Sequence, residues 1–307
     1  MSPDAFEELV APHRRALAAH CYRMLGSLAE AEDQVQETLL RAWRGIDGFA
    51  GRASLKTWLH RIATNACLDV LRTRPRRELL LEGTQPFDPA QPLPGASAEI
   101  LWLEPAPASL LDPEASVASR ETVRLAMIAA LQRLPATQRA ALLLSDVLEW
   151  PVADVAALLD TTPAAINSAL QRARATLAGH RRPRRPVDPA LLERYVRAWE
   201  QGDIAAFAAL LHEDVVVSMP PVPAWLAGRD AVAAFLGPRM TPGAQRMVRV
   251  DGADDVTFAF YRRDGQGFTA RAIEVVTWED GLVRELHAFF DRDLVARWGV
   301  PAARADD

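Results

Sequence analysis

A multidomain chain, two all-α segments followed by an α+β domain, is the fold class that the sequence predicts, and three observations predict it. Through residues 1–76 and again through 119–180 apolar side chains recur every three or four positions, the period of a helix with one buried face. The stretch between them, 77–118, holds Pro86, Pro89, Pro92, Pro94, Pro105, Pro107 and Pro113 with no sustained period, which predicts a linker. From 188 to 302 strand-like alternation enters, with Asp264-Gly265 and Asp280-Gly281 as hairpin signals. The length, 307 residues, is about twice that of a typical domain, so more than one core can be built. Half of the residues are hydrophobic and 24% charged, a balance that excludes a disordered or collagen-like chain.

Each element follows from local pattern. Phe6, Leu9, Val10, His13, Leu17, His20, Cys21 and Met24 form one amphipathic stripe that Gly26 can end. Ser27-Leu28-Ala29-Glu30 has the form of a capping box and opens a helix through Trp43, with Val35, Leu39 and Trp43 on one face and Glu32, Asp33, Gln36 and Glu37 on the polar one. Leu55, Trp58, Leu59, Ile62, Ala66 and Val70 give a third stripe, ending before Pro75. Helical period resumes at Val117 and is broken at Pro135, Pro151 and Pro163, and the run from Arg181 to Pro186 reads as a short hinge. Beyond it helices are expected over 191–200 and 204–211, and strands over 215–219, 256–261, 268–278 and 282–290.

Net charge is −5, which taken alone argues against a nucleic-acid partner, but the charge is segmented. Arg52 to Arg77 carries seven basic residues against Asp69 alone, and Arg172 to Arg185 carries six arginines and no acid, whereas Glu78 to Glu121 carries eight acids against Arg120. Basic islands are the footprint of phosphate binding, and an acidic connector keeps itself off the same DNA. Two cysteines, Cys21 and Cys67, make neither a disulfide framework nor a cysteine-rich zinc site, and a reducing cytoplasm is the expectation. The acidic start and the absence of a long apolar stretch predict neither export nor membrane insertion.

The sharpest local signal is at 151–178. Val152, Val155, Ala156 and Leu159 are the buried side of a short helix, Asp160-Thr161-Thr162 a tight turn, and Thr162 the cap of a second helix with Pro163 at its first position. That is helix-turn-helix grammar. With Ile166, Leu170, Ala173 and Leu177 facing inward, Asn167, Ser168, Gln171, Arg172 and Arg174 face outward, residue types that read base edges or grip phosphate; a plain helical hairpin with a solvated face has the same pattern.

The run from Ala31 to Trp43 (AEDQVQETLLRAW) together with Phe49 to Leu71 (FAGRASLKTWLHRIATNACLDVL) resembles region 2 of bacterial extracytoplasmic-function (ECF) sigma factors of the sigma-70 family. Leu134-Pro135-Ala136-Thr137-Gln138-Arg139 followed by the helix-turn-helix resembles their region 4, and the last 120 residues resemble a SnoaL-like domain of the cone-shaped NTF2-like fold. Trp102-Leu103-Glu104-Pro105 is similar to a connector motif of the long, sigma-G-like group. The resemblance implies that Asp33, Gln36, Glu37, Leu40 and Trp43 dock on the β′ clamp helices of core RNA polymerase, with the β flap as a further contact. It implies that Phe49, Arg52, Lys56, Thr57, Trp58, Arg61 and Asn65 hold the unstacked minus-ten element, by aromatic stacking and a cationic groove. By the same resemblance Thr162, Asn167, Ser168, Gln171, Arg172 and Arg174 meet the minus-thirty-five element. Asp160 departs from the family, which usually has Gly there; Asp tolerates the left-handed backbone better than most residues. The connector, longer than in minimal members, is expected to thread toward the RNA exit path.

The expected function is that of a sigma factor, with region 2 at 1–76, the linker at 77–118, region 4 at 119–180 and a regulatory SnoaL-like domain at 188–302. His212, Trp225, Tyr261 and His287 are candidates for a pocket there, open to a small-molecule ligand or a protein regulator, while His287, Glu285 and Phe289 share one face of a strand. No enzyme activity, cofactor or metal is expected, since fold alone confers none. A ligand-responsive helix-turn-helix regulator is the alternative, and it leaves the 31–71 block unexplained; a SnoaL-like isomerase on a DNA tether is a second.

Overall fold

In the computed structural model, which describes residues 1–49, 51, 53–80, 83–110, 122–178, 186–254 and 256–305, the chain divides into two units: Met1–Arg77 with Ala108–Arg182, and Glu78–Pro107 with Pro183–Asp307.

The first unit is helical. Ser2 caps α1 (Pro3–Val10), and the stripe expected to be one helix restarts after a short turn as α2 (Arg14–Leu25), because Pro12 supplies no backbone N–H. Gly26 ends α2 at φ +73. In α3 (Leu28–Gly45) the Ser27 hydroxyl accepts the Glu30 N–H, but the Glu30 carboxylate pairs with Arg74 and Arg77 instead of closing the box. Ser54 caps α4 (Leu55–Leu71). Leu17, Met24, Val35, Leu39, Leu59 and Cys67 pack among these helices, whereas Trp43, expected on the stripe of Val35 and Leu39, is 36% exposed. The other helices are α5 (Leu125–Gln132), α6 (Ala136–Leu142), α7 (Val152–Leu158) and α8 (Pro163–Leu177), with a π-helical turn at Leu143–Val147. Both helical segments belong to this one unit. Arg139 of α6, almost fully buried, donates to the Met24 carbonyl at the end of α2 and to Gln132 Oε1 (2.7 Å), and Arg23 donates to Thr122 Oγ1 (2.8 Å).

The second unit is built on a mixed sheet of β1 (Leu211–Ser218), β2 (Trp225–Ala227), β3 (Gln245–Arg249), β4 (Thr257–Asp264), β5 (Gly267–Glu279), β6 (Leu282–Phe289) and β7 (Ala303–Ala305). The order is β2-β1-β6-β5-β4-β3, with β7 on β5; every pairing is antiparallel except β1 with β6. Helices α9 (Pro189–Gln201), α10 (Ile204–Ala208) and α11 (Arg229–Leu236) cover one face through Tyr195, Trp199, Phe207 and Phe235, which pack with Phe258, Val276, Leu286 and Ala288 of the strands. The other face, carrying Tyr261, Phe268 and Ile273, packs with Val295 of α12 (Arg292–Arg297) and Trp298. Gly202 ends α9 at φ +64, and a Cβ there would lie 2.7 Å from the Met240 carbonyl, so only glycine fits. Asp280 and Gly281, both at positive φ, make the β5–β6 turn.

The segment read as a linker behaves differently. Residues 78–107 pack with the C-terminal unit: Phe87 N–H donates to the Trp225 carbonyl (2.7 Å), Ser97 N–H to Pro221 (3.0 Å), Ala253 N–H to Ala106 (2.9 Å) and Trp298 Nε1 to Pro105 (3.2 Å). Phe87 joins the aromatic cluster, edge-on to Phe235 at 6.2 Å. Prolines donate no N–H of their own and leave extended carbonyls free for other donors, so a segment without period still docks. Residues 81, 82 and 111–118 of the linker and 181–185 of the basic hinge lie outside the described residues.

Candidate nucleic-acid interface

Thr162 Oγ1 accepts the Ala165 N–H (3.2 Å) at the start of α8, and Asp160 takes the left-handed conformation (φ +50) that the tight turn requires. Ile166, Leu170, Ala173 and Leu177 are buried, which leaves Asn167, Ser168, Gln171 and Arg172 exposed along one helix face. Arg174 is exposed too but engaged. Its guanidinium donates to both carboxylate oxygens of Asp146 (3.0 and 2.7 Å), which holds it more firmly protonated than a free arginine.

The minus-ten candidates separate into two groups. Phe49 and Trp58 place their rings 4.9 Å apart at 32°, and with Gly48, Ala53, Arg61, Ile62 and Asn65 they line a surface cavity of about 390 Å³. Trp58 is half-buried, Arg61 and Asn65 exposed. Lys56 and Thr57 leave α4 on another side and, with His60, face Glu149, Trp150 and Asp154 across a second cavity of about 280 Å³. Arg52 lies outside the described residues.

On α3, Asp33, Gln36, Leu40 and Trp43 are exposed at spacings of three and four, one continuous face. Leu40 is 50% exposed, and Trp43 meets Phe6 edge-on at 5.2 Å, an apolar patch rimmed by polar groups. Glu37 is turned aside to Arg41 (2.7 Å), which also holds Asp69.

The four pocket candidates of the C-terminal unit each have their own polar partner. Tyr261 lies in the α12-side core with its hydroxyl on the Pro301 carbonyl (3.0 Å), and Trp225 Nε1 donates to Thr84 (3.0 Å). His212 Nδ1 accepts the Asp214 N–H (3.1 Å) and lies 3.1 Å from Arg284 Nη1. His287 is buried, Nδ1 2.7 Å from Ser218 Oγ and Nε2 3.6 Å from Glu285 Oε2, while its neighbour Ala288 joins the helix-covered cluster, which puts His287 on the opposite face. Sequence reasoning missed Glu274, fully buried among aromatic rings and bonded by the Tyr195 hydroxyl; burial pushes its carboxyl up to about 7. The signal was present, an acid inside the apolar run Ala272-Ile273-Glu274-Val275-Val276.

Comparison with known proteins gives the family. The Sigma-70 region 2 model matches residues 9–77, the Sigma-70 region 4 model 124–177 and the SnoaL-like domain model 192–286. ECF RNA polymerase sigma factor SigG of Mycobacterium tuberculosis is 42% identical over 305 residues, taking in 94% of this chain and 82% of SigG. The chain belongs to the ECF sigma-70 family. SigJ of the same organism is 31% identical over 304 residues, covering 92% of this sigma factor and 89% of SigJ. A crystal structure of SigJ covers 96% of this sigma factor and 99% of that chain at a TM-score of 0.61 and 26% identity. The sigma factor therefore joins helical sigma regions to a SnoaL-like mixed sheet with helices. Among its described residues no helix is long and apolar enough to cross a membrane.

Proposed function

We propose that this sigma factor docks on the β′ clamp helices of core polymerase through Asp33, Gln36, Leu40 and Trp43, with region 4 meeting the β flap. The Phe49–Trp58 cavity takes an unstacked base of the minus-ten element, Arg61 and Asn65 approach that strand, and Asn167, Ser168 and Gln171 read the minus-thirty-five element while Arg172 grips its phosphates. The observation that carries this reading is the aromatic-walled cavity beside exposed Arg61 and Asn65, in the same unit as a capped helix-turn-helix. A flat apolar slot next to a cation suits a base that has left its stack. The C-terminal unit tunes initiation, under a small molecule or a protein regulator, and does no bond chemistry of its own.

Purified chain, core polymerase and promoter fragments test the proposal. Specific initiation that depends on the added chain is the expected result. Specific DNA binding without initiation would instead identify a ligand-responsive regulator.

A further inference from the structure

The C-terminal unit concentrates positive charge at one end of its sheet. Phe260 of β4 and Phe290 after β6 floor a groove of about 480 Å³ whose walls carry Arg262, Arg263, Arg271 and Arg292, against the single carboxylate of Asp264. A second groove of about 410 Å³ adjoins it, sharing Asp264, Arg271 and Arg292. Such volumes suit a small-molecule ligand. The charge is concentrated there against the trend of its surroundings, because from Asp188 onward the chain has more acids than arginines.

How the sequence reaches this arrangement is visible in the register. Tyr261 opposes Ala270 and Phe260 opposes Ala272, so Arg271 is the extra residue of a β-bulge. Bulges re-aim side chains, and this one brings Arg271, 32% exposed, into the wall shared by both grooves. Arg271 reaches Asp264 only at 3.5 Å, and Arg263 is engaged by the Gly243 carbonyl (2.9 Å) and the Phe268 ring. Arg262 and Arg292 have no ion-pair or side-chain hydrogen-bond partner among the described residues. Four like charges gathered against one carboxylate repel one another, a cost that an anion in the groove reduces. Beside them Phe290, 42% exposed, stands edge-on to Phe260 at 6.2 Å, an apolar ring left open in a charged groove.

We propose that this groove binds a nucleoside polyphosphate, its phosphates on Arg262, Arg271 and Arg292 and its base on the Phe290 ring. Guanidinium groups match phosphate oxygens in charge and geometry, and an exposed aromatic face supplies sequence-independent stacking. The site rests on the regulatory reading of the C-terminal unit only for its consequence, nucleotide-dependent initiation; binding is measured without polymerase, so the two fail separately.

Calorimetric titration of the full chain with ATP is the test, beside tripolyphosphate, which lacks the ring, and adenosine, which lacks the charge. Saturable ATP binding, tighter than either fragment, is expected. Arg262→Gln with Arg292→Gln should weaken it by roughly tenfold or more, the loss of two charge-assisted contacts, and Phe290→Ala should bring ATP down to the level of tripolyphosphate. All three positions lie at the surface, and unchanged circular dichroism confirms the fold. Undiminished binding by the double variant overturns the site, since it would place the nucleotide on the basic sigma regions. Absence of saturable binding or equal affinity for tripolyphosphate would overturn it as well.

Discussion

Glu274 is a carboxyl in an aromatic box, and its ionisation is set against the fold. The ordinary value near 4.5 is raised to about 7 in the folded chain by burial, although the Tyr195 hydroxyl bonds it. Below about pH 4.5 both states hold the proton and stability is unaffected. As pH rises through 7 the unfolded chain ionises first, so stability is lost, about 3 kcal/mol in all. Glu274→Gln should match the parent near pH 4 and exceed it near pH 8; His20 and His60, whose charging burial disfavours, titrate alike in both proteins, so denaturant unfolding is read as the difference between variant and parent across pH, and a difference that does not change with pH would refute the assignment. On α8 the residues divide by their partners. Alanine at Asn167 or Gln171 should relax base preference by about 1–3 kcal/mol per contact, while Arg172→Ala should weaken all sequences alike. Arg174→Ala should affect DNA less than Arg172→Ala, because Asp146 already holds that guanidinium, and an exposed pair contributes under about 1 kcal/mol to stability. Binding across promoter variants and salt concentrations separates the three behaviours.

Among the elements, α3 and α8 were the most legible, because an uninterrupted stripe and a side-chain cap are local properties of a helix. The exposed face of α3 carries its own prediction. Asp33→Arg with Gln36→Ala reverses a charge without touching the buried stripe, so helicity should stay and core polymerase affinity should fall; full recovery of core enzyme with the folded variant would remove this face from the interface. Strands of three to five residues were not legible. β2, β3 and β7 have no room for a period and owe their strand state to the partner that pairs them. The capping box shows the same limit at one residue, since Glu30 was taken by Arg74 and Arg77, more than forty positions away.

At the scale of the molecule, two assignments carry consequences. The sigma regions share one unit, joined by Arg139 on the Met24 carbonyl, yet the minus-ten and minus-thirty-five elements proposed for them lie about 25 base pairs apart, roughly 85 Å at 3.4 Å per pair. A compact unit of about 150 residues has a radius of gyration near 15 Å, by the general scaling, and cannot span that. A dye pair on α3 and α8, attached at added cysteines because Cys21 and Cys67 are buried, should therefore separate when core enzyme and promoter are bound; an unchanged distance in an active complex would count against the promoter contacts proposed. The connector carries the other consequence. Ending the chain near Pro186 strips residues 78–107 of the partners that hold Phe87 and Pro105, so the fragment's connector should be cut by protease where the full chain resists, and its initiation output should differ at matched concentration. Equal output from both would reduce the C-terminal unit to a passenger.

By itself the sequence determined what short-range chemistry writes: the amphipathic helices, the Thr162 cap, the Asp160 turn, the two hairpin dipeptides, and the motif blocks that carry the family. Period and capping depend on residues a few positions apart, so they survive reading without a fold. Tertiary structure alone decided which outward groups remain free. Asn167 and Arg172 stayed open while Arg174 went to Asp146, and Phe49 joined Trp58 while Lys56 turned to another cavity. It also chose the partners of His212, Trp225, Tyr261 and His287, each on a different segment. The fate of the proline-rich connector was decided in the same way. Without a period of its own it had nothing for local rules to read, and its place came from Trp225, Pro221, Ala253 and Trp298, donors and acceptors more than a hundred residues further along the chain.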